Sequence, residues 1–204
     1  WRNLIKLVEV YGKIEKGDTI LRVISGKARG LKLNAPKNDD VRPTTDRVKE
    51  SLFNMINSYM MDSNILDLFA GTGSLGIECL SRGANKCVFV DKSKESINIV
   101  KSNIKKARVE NESTVLNLDF KSAINSLALK KEKFDVIFMD PPYYKNMFSD
   151  ALLAVDNNEL LKEDGIIVVE HDTVDKFPDN MGRLYKSREK KYGNTTITFY
   201  KVEE

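Results

Sequence analysis

The chain has 204 residues, 41% of them hydrophobic and 31% charged, with a formal net charge of +3. That balance supplies the core of one ordinary domain and excludes a largely disordered chain. No apolar run approaches the roughly 18 residues a bilayer span needs, so no membrane association is expected.

Residues 1–19 interleave Lys6, Glu9, Lys13, Glu15 and Lys16 among apolar positions and lack the apolar centre of a secretory signal. We read them as a loosely attached extension, and the start without Met as trimmed. Cys79 and Cys87 are the two cysteines, with neither CxxC nor zinc-type spacing, which fits buried thiols in a reducing, cytoplasmic setting. His171 is the single histidine, so a histidine metal site or a Ser/His/Asp triad has almost no material. A structural role is expected for it, and no metal.

Residues 20–62 form a first unit. "TILRVISGKARGLKL" reads as a short hairpin around Gly26 and Gly30. A polar loop follows, then an amphipathic helix with Val48, Leu52, Met55, Ile56 and Tyr59 on one face, capped from Thr44, Thr45 or Asp46. Arg22, Lys27, Arg29, Lys32, Lys37, Arg42, Arg47 and Lys49 outnumber the acids of this stretch two to one, and "KSREKK" adds a second basic cluster at residues 186–191. Such runs are either solvated faces or a surface for a polyanion.

From residue 63 strand and helix alternate. The strands are "ILDLF", "KCVFVD", "STVLNLD", "FDVIFMD" and "GIIVVE", with helices over "SLGIECLSRG", Lys94 to about Arg108, "KSAINSLALKK" and "MFSDALLAVDNNELL". This order predicts an α/β domain over 63–204 with a mostly parallel sheet covered on both faces. "GRLYKSREKK" and "NTTITFYKV" have no helix between them and should pair as an antiparallel hairpin at one edge, giving seven strands.

Chemistry concentrates where strands end. Gly71, Gly73 and Gly76 make a GxGxxG turn after the first strand, which by itself is shared with nicotinamide and flavin enzymes. Asp67, just before the glycines, suits a cofactor bearing an ammonium and not a pyrophosphate. Asp91, Asp119 and Asp140 end the next three strands, so four acids point at one crevice. Asp91 can accept from two ribose hydroxyls and Asp119 from an adenine amino group. The structural alternative is that each acid caps the following helix.

"LDLFAGTG", "VFVD", "NLDF" and "DPPY", in this order, resemble motifs I to IV of the class I S-adenosylmethionine-dependent methyltransferases, over residues 64–170. The resemblance implies a Rossmann-like fold and S-adenosylmethionine as cofactor, leaving as S-adenosylhomocysteine. Asp67 and the turn of Phe69, Ala70, Gly71, Thr72 and Gly73 would face its methionine part. Asp91 with Lys92 would hold the ribose, and Asp119 with Phe120 would border the adenine.

The DPPY turn then acquires a chemical sense. An exocyclic amino group is a poor nucleophile because its lone pair is delocalised into the base. The Asp140 carboxylate and the Pro141 carbonyl, aimed by two consecutive prolines, can accept its hydrogens and localise that lone pair. Tyr143 offers a flat face for an extruded base. The plain alternative is a Pro turn closing a buried strand. Enzymes that modify protein glutamine have NPPY here, so the Asp leans toward a nucleobase.

"LRVISGKARGLKLNAP…VRPTTDRVKESLFNMI" closely resembles the N-terminal signature of the RsmD family, and "EKKYGNTTITFYK" its final hairpin. That family methylates guanine N2 in 16S ribosomal RNA, at position 966. The resemblance implies the same reaction on 16S rRNA or a small-subunit assembly particle, by a monomer. Arg29, Lys32 and Arg42 become candidate phosphate contacts and Arg47 a pocket residue, while Val48, Leu52, Phe53 and Ile56 read as core. The extension before Thr19 departs from the family pattern. A DNA adenine-N6 methyltransferase, a non-catalytic nucleic-acid-binding module and a dinucleotide oxidoreductase remain as other readings.

Overall fold

The computed structural model describes residues 21–36, 46–140 and 147–203. The expectations for the extension, for Thr44 and Thr45 as caps, and for Arg42, Pro141 and Tyr143 lie outside them. In chain order the elements are α1 (Asp46–Met55), β1 (Asn64–Asp67), α2 (Ser74–Ser81), β2 (Lys86–Val90), α3 (Lys94–Ala107), β3 (Ser113–Leu116) and α4 (Phe120–Leu129). They continue with β4 (Phe134–Met139), α5 (Met147–Asn157), β5 (Leu161–Asp172), β6 (Asn180–Met181), β7 (Leu184–Tyr192) and β8 (Thr195–Val202).

One sheet runs in the order β3-β2-β1-β4-β5-β8-β7-β6. The first five strands are parallel and β8, β7 and β6 antiparallel. Among the described residues the sheet has eight strands, not the seven expected. The extra one, β6, pairs Asn180 and Met181 with Tyr185 and Leu184. Two residues carry no readable alternation, and "FPD" before them reads as a turn.

The central strands are apolar because helices cover both faces. On one face Leu52 and Phe53 of α1, Ile77 and Leu80 of α2, and Val100 and Ile104 of α3 pack on Ile65, Phe89, Phe138 and Val168. On the other, Ala123, Ile124 and Leu127 of α4 and Phe148, Leu152 and Val155 of α5 pack on Leu66, Val88, Ile137 and Val169. Helix ends follow local chemistry: the Ser93 hydroxyl accepts from the Ser96 N–H at the start of α3, and Arg108, at φ 57°, closes it. No helix among the described residues is long and apolar enough to cross a membrane.

Residues 21–33 form a hairpin bridged at Arg22 and Lys32, with backbone bonds from Val23 to Leu31, Gly30 to Val23 and Leu33 to Leu21. Val23 and Leu33 enter the first core, and α2 supplies a polar clasp. The buried Glu78 carboxylate accepts from the N–H groups of Ile24 at 2.7 Å and Ser25 at 3.0 Å and from Arg82 Nε at 2.7 Å. Lys49 Nζ of α1, also buried, lies 3.3 Å from Glu78 and donates to the Arg22 carbonyl at 2.9 Å. Ser81 continues the clasp, its hydroxyl accepting from the Ala28 N–H and its carbonyl from the Lys27 N–H.

Candidate active site

The site lies at the carboxyl ends of β1, β2, β4 and β5. Gly73 starts α2 at φ 76°, a left-handed conformation that costs glycine little, and it has no side chain with which to cap the helix. Asp67 takes over that task from β1: its Oδ2 accepts from the Gly76 N–H at 3.2 Å. Gly76 must itself be glycine, because an added Cβ would sit 2.3 Å from Phe89 and 2.6 Å from the Cys87 sulfur. The turn is thus pulled tightly onto the strand ends.

Asp91 holds the same turn from β2. Its Oδ2 accepts from the Gly71 N–H at 2.9 Å and its Oδ1 from the Ser93 N–H at 2.8 Å. Both carboxylate oxygens are aimed by backbone and keep further lone pairs. Lys92 is exposed, and its carbonyl accepts from Asn117 Nδ2 at 3.1 Å. Asp119 does cap its helix: it accepts from the Ser122 N–H at 3.1 Å and the Ser122 hydroxyl at 2.6 Å, and those bonds hold its pKa below the usual carboxylate range. Phe69 and Phe120, both half-buried, face one another with ring centroids 5.7 Å apart, while Ala70 is buried behind the turn.

Asp140 follows β4 and is open to solvent, yet dense protein around its base pushes its carboxyl up to about 7, with help from the charges of Glu170 and Asp67. Asp67 is likewise raised to about 7, by burial first, against the lowering effect of Gly76, with Asp91 adding to the rise. The charge of Asp91 thus acts on Asp67, and those of Glu170 and Asp67 on Asp140, so these carboxylates disfavour one another's ionised forms.

The basic candidates stand apart from this cluster. Arg29, Lys32 and Arg47 are exposed, and none of them forms an ion pair with another described residue. The second basic cluster lies on β7. By register, Arg188 faces Phe199 and Lys190 faces Ile197, so both lie on the α1 side of the sheet. Tyr192 at the end of β7 hydrogen-bonds Ser51 of α1 at 2.5 Å, joining that strand to the helix that bears Arg47.

Two residues in or behind the site were not singled out from sequence. Glu170 acts by its charge on Asp140. Asn103 of α3, fully buried, donates to the Thr72 carbonyl of the glycine turn. Lys49, counted in the basic run as part of a solvated face or polyanion surface, is instead buried and pairs with Glu78 under the hairpin. The available signal was a polar residue beside an apolar stripe, as Asn103 stands beside Val100 and Ile104. Both ring nitrogens of His171 are held, one against the Asp172 carbonyl and the other against the Thr198 hydroxyl, each at 2.8 Å. Cys79 and Cys87 are free and buried, as expected.

Residues 21–201 match the family model described as Conserved hypothetical protein 95. Ribosomal RNA small subunit methyltransferase D of Haemophilus influenzae is 39% identical over 74% of this chain and 78% of its own length. The chain belongs to the RsmD family. YlbH of Bacillus subtilis is 43% identical over 89% of this chain and 98% of its own. The solved structure of yhhF from Escherichia coli aligns with a TM-score of 0.78 at 27% identity, covering 90% of this chain and 98% of that one. This RsmD chain has the class I methyltransferase fold, with its antiparallel hairpin at β7 and β8.

Proposed function

We propose that this protein is an S-adenosylmethionine-dependent methyltransferase acting on the exocyclic N2 of a guanine in 16S ribosomal RNA. The observation that supports the reading is that Asp140 follows the end of β4, the strand paired with β1, and feels the charge of Asp67 beside the glycine turn. Family relatives that bear the name small subunit methyltransferase D support the RNA substrate.

The residues fit the cofactor. Asp91 adds to the raised pKa of Asp67, after burial, and an ammonium beside these two carboxylates would relieve that repulsion. The turn from Phe69 to Gly73 would enclose its amino-acid part, Asp91 and Lys92 its ribose, and Asp119 with Phe120 the edge of its adenine. Bound there, S-adenosylmethionine supplies an already activated methyl group.

The chain's own work is then orientation and acceptance. Asp140, as a carboxylate, accepts a hydrogen of the base amino group and makes its lone pair available. Pro141 contributes a carbonyl to the same hydrogens, and Tyr143 a stacking face, in this reading. Arg29, Lys32, Arg42 and Arg47, with Arg188 and Lys190, would meet phosphates around the cleft. The substrate is 16S rRNA, naked or in an assembly particle.

The deciding experiment is transfer of tritiated methyl from labelled cofactor to small-subunit rRNA and to small-subunit particles, followed by nucleoside analysis. N2-methylguanosine is expected. Label in N6-methyladenosine, or no label in either RNA substrate, rejects the proposal.

A further inference from the structure

The register of the sheet points to a neighbour for Asp140 that the amino-group clamp does not use. Strands β4 and β5 pair Phe138 with Val168 and Met139 with Val169, and the same register continued by one residue brings Asp140 next to Glu170, whose charge acts on it. Phe138 and Val168 belong to the core on the α1 side, Met139 and Val169 to the opposite core. Side chains alternate along a strand, so Asp140 and Glu170 both project to the α1 side, as Asp67 does through its pairing with Phe138. Glu170 is half-buried, and it is the foremost charge acting on the Asp140 carboxyl, ahead of Asp67. Parallel strands lie about 4.8 Å apart, a span on which two side chains can meet one base edge.

We propose that Glu170 selects guanine by accepting a hydrogen bond from the base N1–H while Asp140 accepts from the neighbouring N2 amino group. This rests on the reading of the chain as a methyltransferase of a base amino group, and it explains which base. Guanine presents two adjacent donors, N1–H and N2–H₂. Adenine presents N6–H₂ beside the N1 lone pair, and cytosine N4–H₂ beside the N3 lone pair. A single acceptor oxygen that takes only an amino hydrogen, as in the clamp on Asp140, cannot tell these amino groups apart. A second carboxylate repels the lone pair of adenine or cytosine and welcomes the N1–H of guanine. A carboxylate has about four lone-pair sites, so Glu170 can accept this bond and keep those it makes within the protein.

Lys190 extends the same row. Glu170 pairs with Ile197 and Ile197 with Lys190, which places this cation two strands from Glu170 on the same side of the sheet. A base held by Glu170 and Asp140 would thus have a phosphate partner about 10 Å away.

The test compares small-subunit rRNA carrying guanine or 2-aminopurine at the methylated position. 2-Aminopurine keeps the N2 amino group but has a lone pair in place of N1–H. The wild-type enzyme should favour guanine by about 10- to 100-fold in kcat/KM, the loss expected when a charged acceptor faces no donor. Glu170→Gln, whose amide can donate to that lone pair, should shrink the preference at least about tenfold. Equal wild-type rates on the two RNAs, or an unchanged ratio in the variant, overturns the proposal. A Gln variant inert on both RNAs but normal in S-adenosylhomocysteine binding also overturns it, since Glu170 would then serve transfer and not base choice. If the variant fails to bind S-adenosylhomocysteine, the wild-type ratio decides. Absence of all transfer by the wild type to either RNA would instead remove the methyltransferase reading beneath it.

Discussion

The buried Asn103 side chain donates a hydrogen bond of 2.9 Å to the carbonyl of Thr72, inside the glycine turn. The same amide donates to the Asn34 carbonyl at 3.0 Å and accepts from the Asn34 N–H at 2.7 Å. One side chain on α3 therefore ties the end of the basic hairpin to the turn that would enclose the cofactor. Asn103→Ala leaves these backbone groups without their partner in a dry place. Stability should fall by about 2–4 kcal/mol in urea unfolding. S-Adenosylhomocysteine affinity should fall about tenfold by calorimetry, because the turn loses a support. Unchanged affinity would show that Asn103 serves packing alone.

Asp140 is the group whose loss separates chemistry from binding. Asp140→Ala should lower methyl transfer at least about a hundredfold, the scale for removing one oriented polar group at a reacting centre. Affinity for S-adenosylhomocysteine should change by less than about fivefold, because Asp67 and Asp91 stay in place. Full activity in that variant would refute the amino-group clamp.

Asp67 makes stability and cofactor affinity respond to pH in opposite ways. Its pKa rises from 3.8 to about 7 in the folded chain. The folded state then holds more protons than the unfolded one between those values, so the protein without cofactor loses stability as pH rises through that window. A bound cation favours the carboxylate, so cofactor affinity should rise over the same window. Asp67→Asn should therefore raise Tm relative to wild type at pH 8, by an amount corresponding to roughly 1–3 kcal/mol, and have little effect at pH 4. Its S-adenosylhomocysteine affinity should drop at pH 8. Parallel melting curves and titrations at the two pH values check both signs.

Lys49 and Glu78 are charged groups deep under the hairpin, and burial lowers the lysine pKa against the opposing pull of Glu78. Removing one partner strands the other. Glu78→Ala should cost about 3–5 kcal/mol and speed proteolysis after Lys27 or Arg29, since the N–H groups of Ile24 and Ser25 lose their acceptor. Lys49→Met with Glu78→Gln should recover part of that loss. Equal stability of wild type and Glu78→Ala would show that Val23 and Leu33 hold the hairpin unaided.

Arg29, Lys32 and Arg47 should contribute by neutralising phosphates. Changing all three to Ala should weaken rRNA binding and flatten its salt dependence by about 0.7–0.9 in log K against log salt for each phosphate no longer neutralised. Cofactor affinity should stay as in the wild type. A slope unchanged in the triple variant would move the RNA surface away from the hairpin and α1.

The sequence by itself determined the strand and helix alternation, the glycine turn and the four acids at strand ends. Those features are local: the period of apolar residues, the left-handed turn at Gly73 and the cap at Ser93 depend on near neighbours in the chain. Tertiary structure decided which side chains meet. Glu78 reads as one more polar residue of a helix until the hairpin, 53 and 54 positions away, brings it two backbone donors. For Asp119 the sequence left both a site role and helix capping open, and the start of α4 at Phe120 shows that it caps the helix. Glu170 stands beside Asp140 through the offset between β4 and β5, set when two strands with a helix between them pack against both cores. Register is a property of packed faces, and no short window of residues contains it.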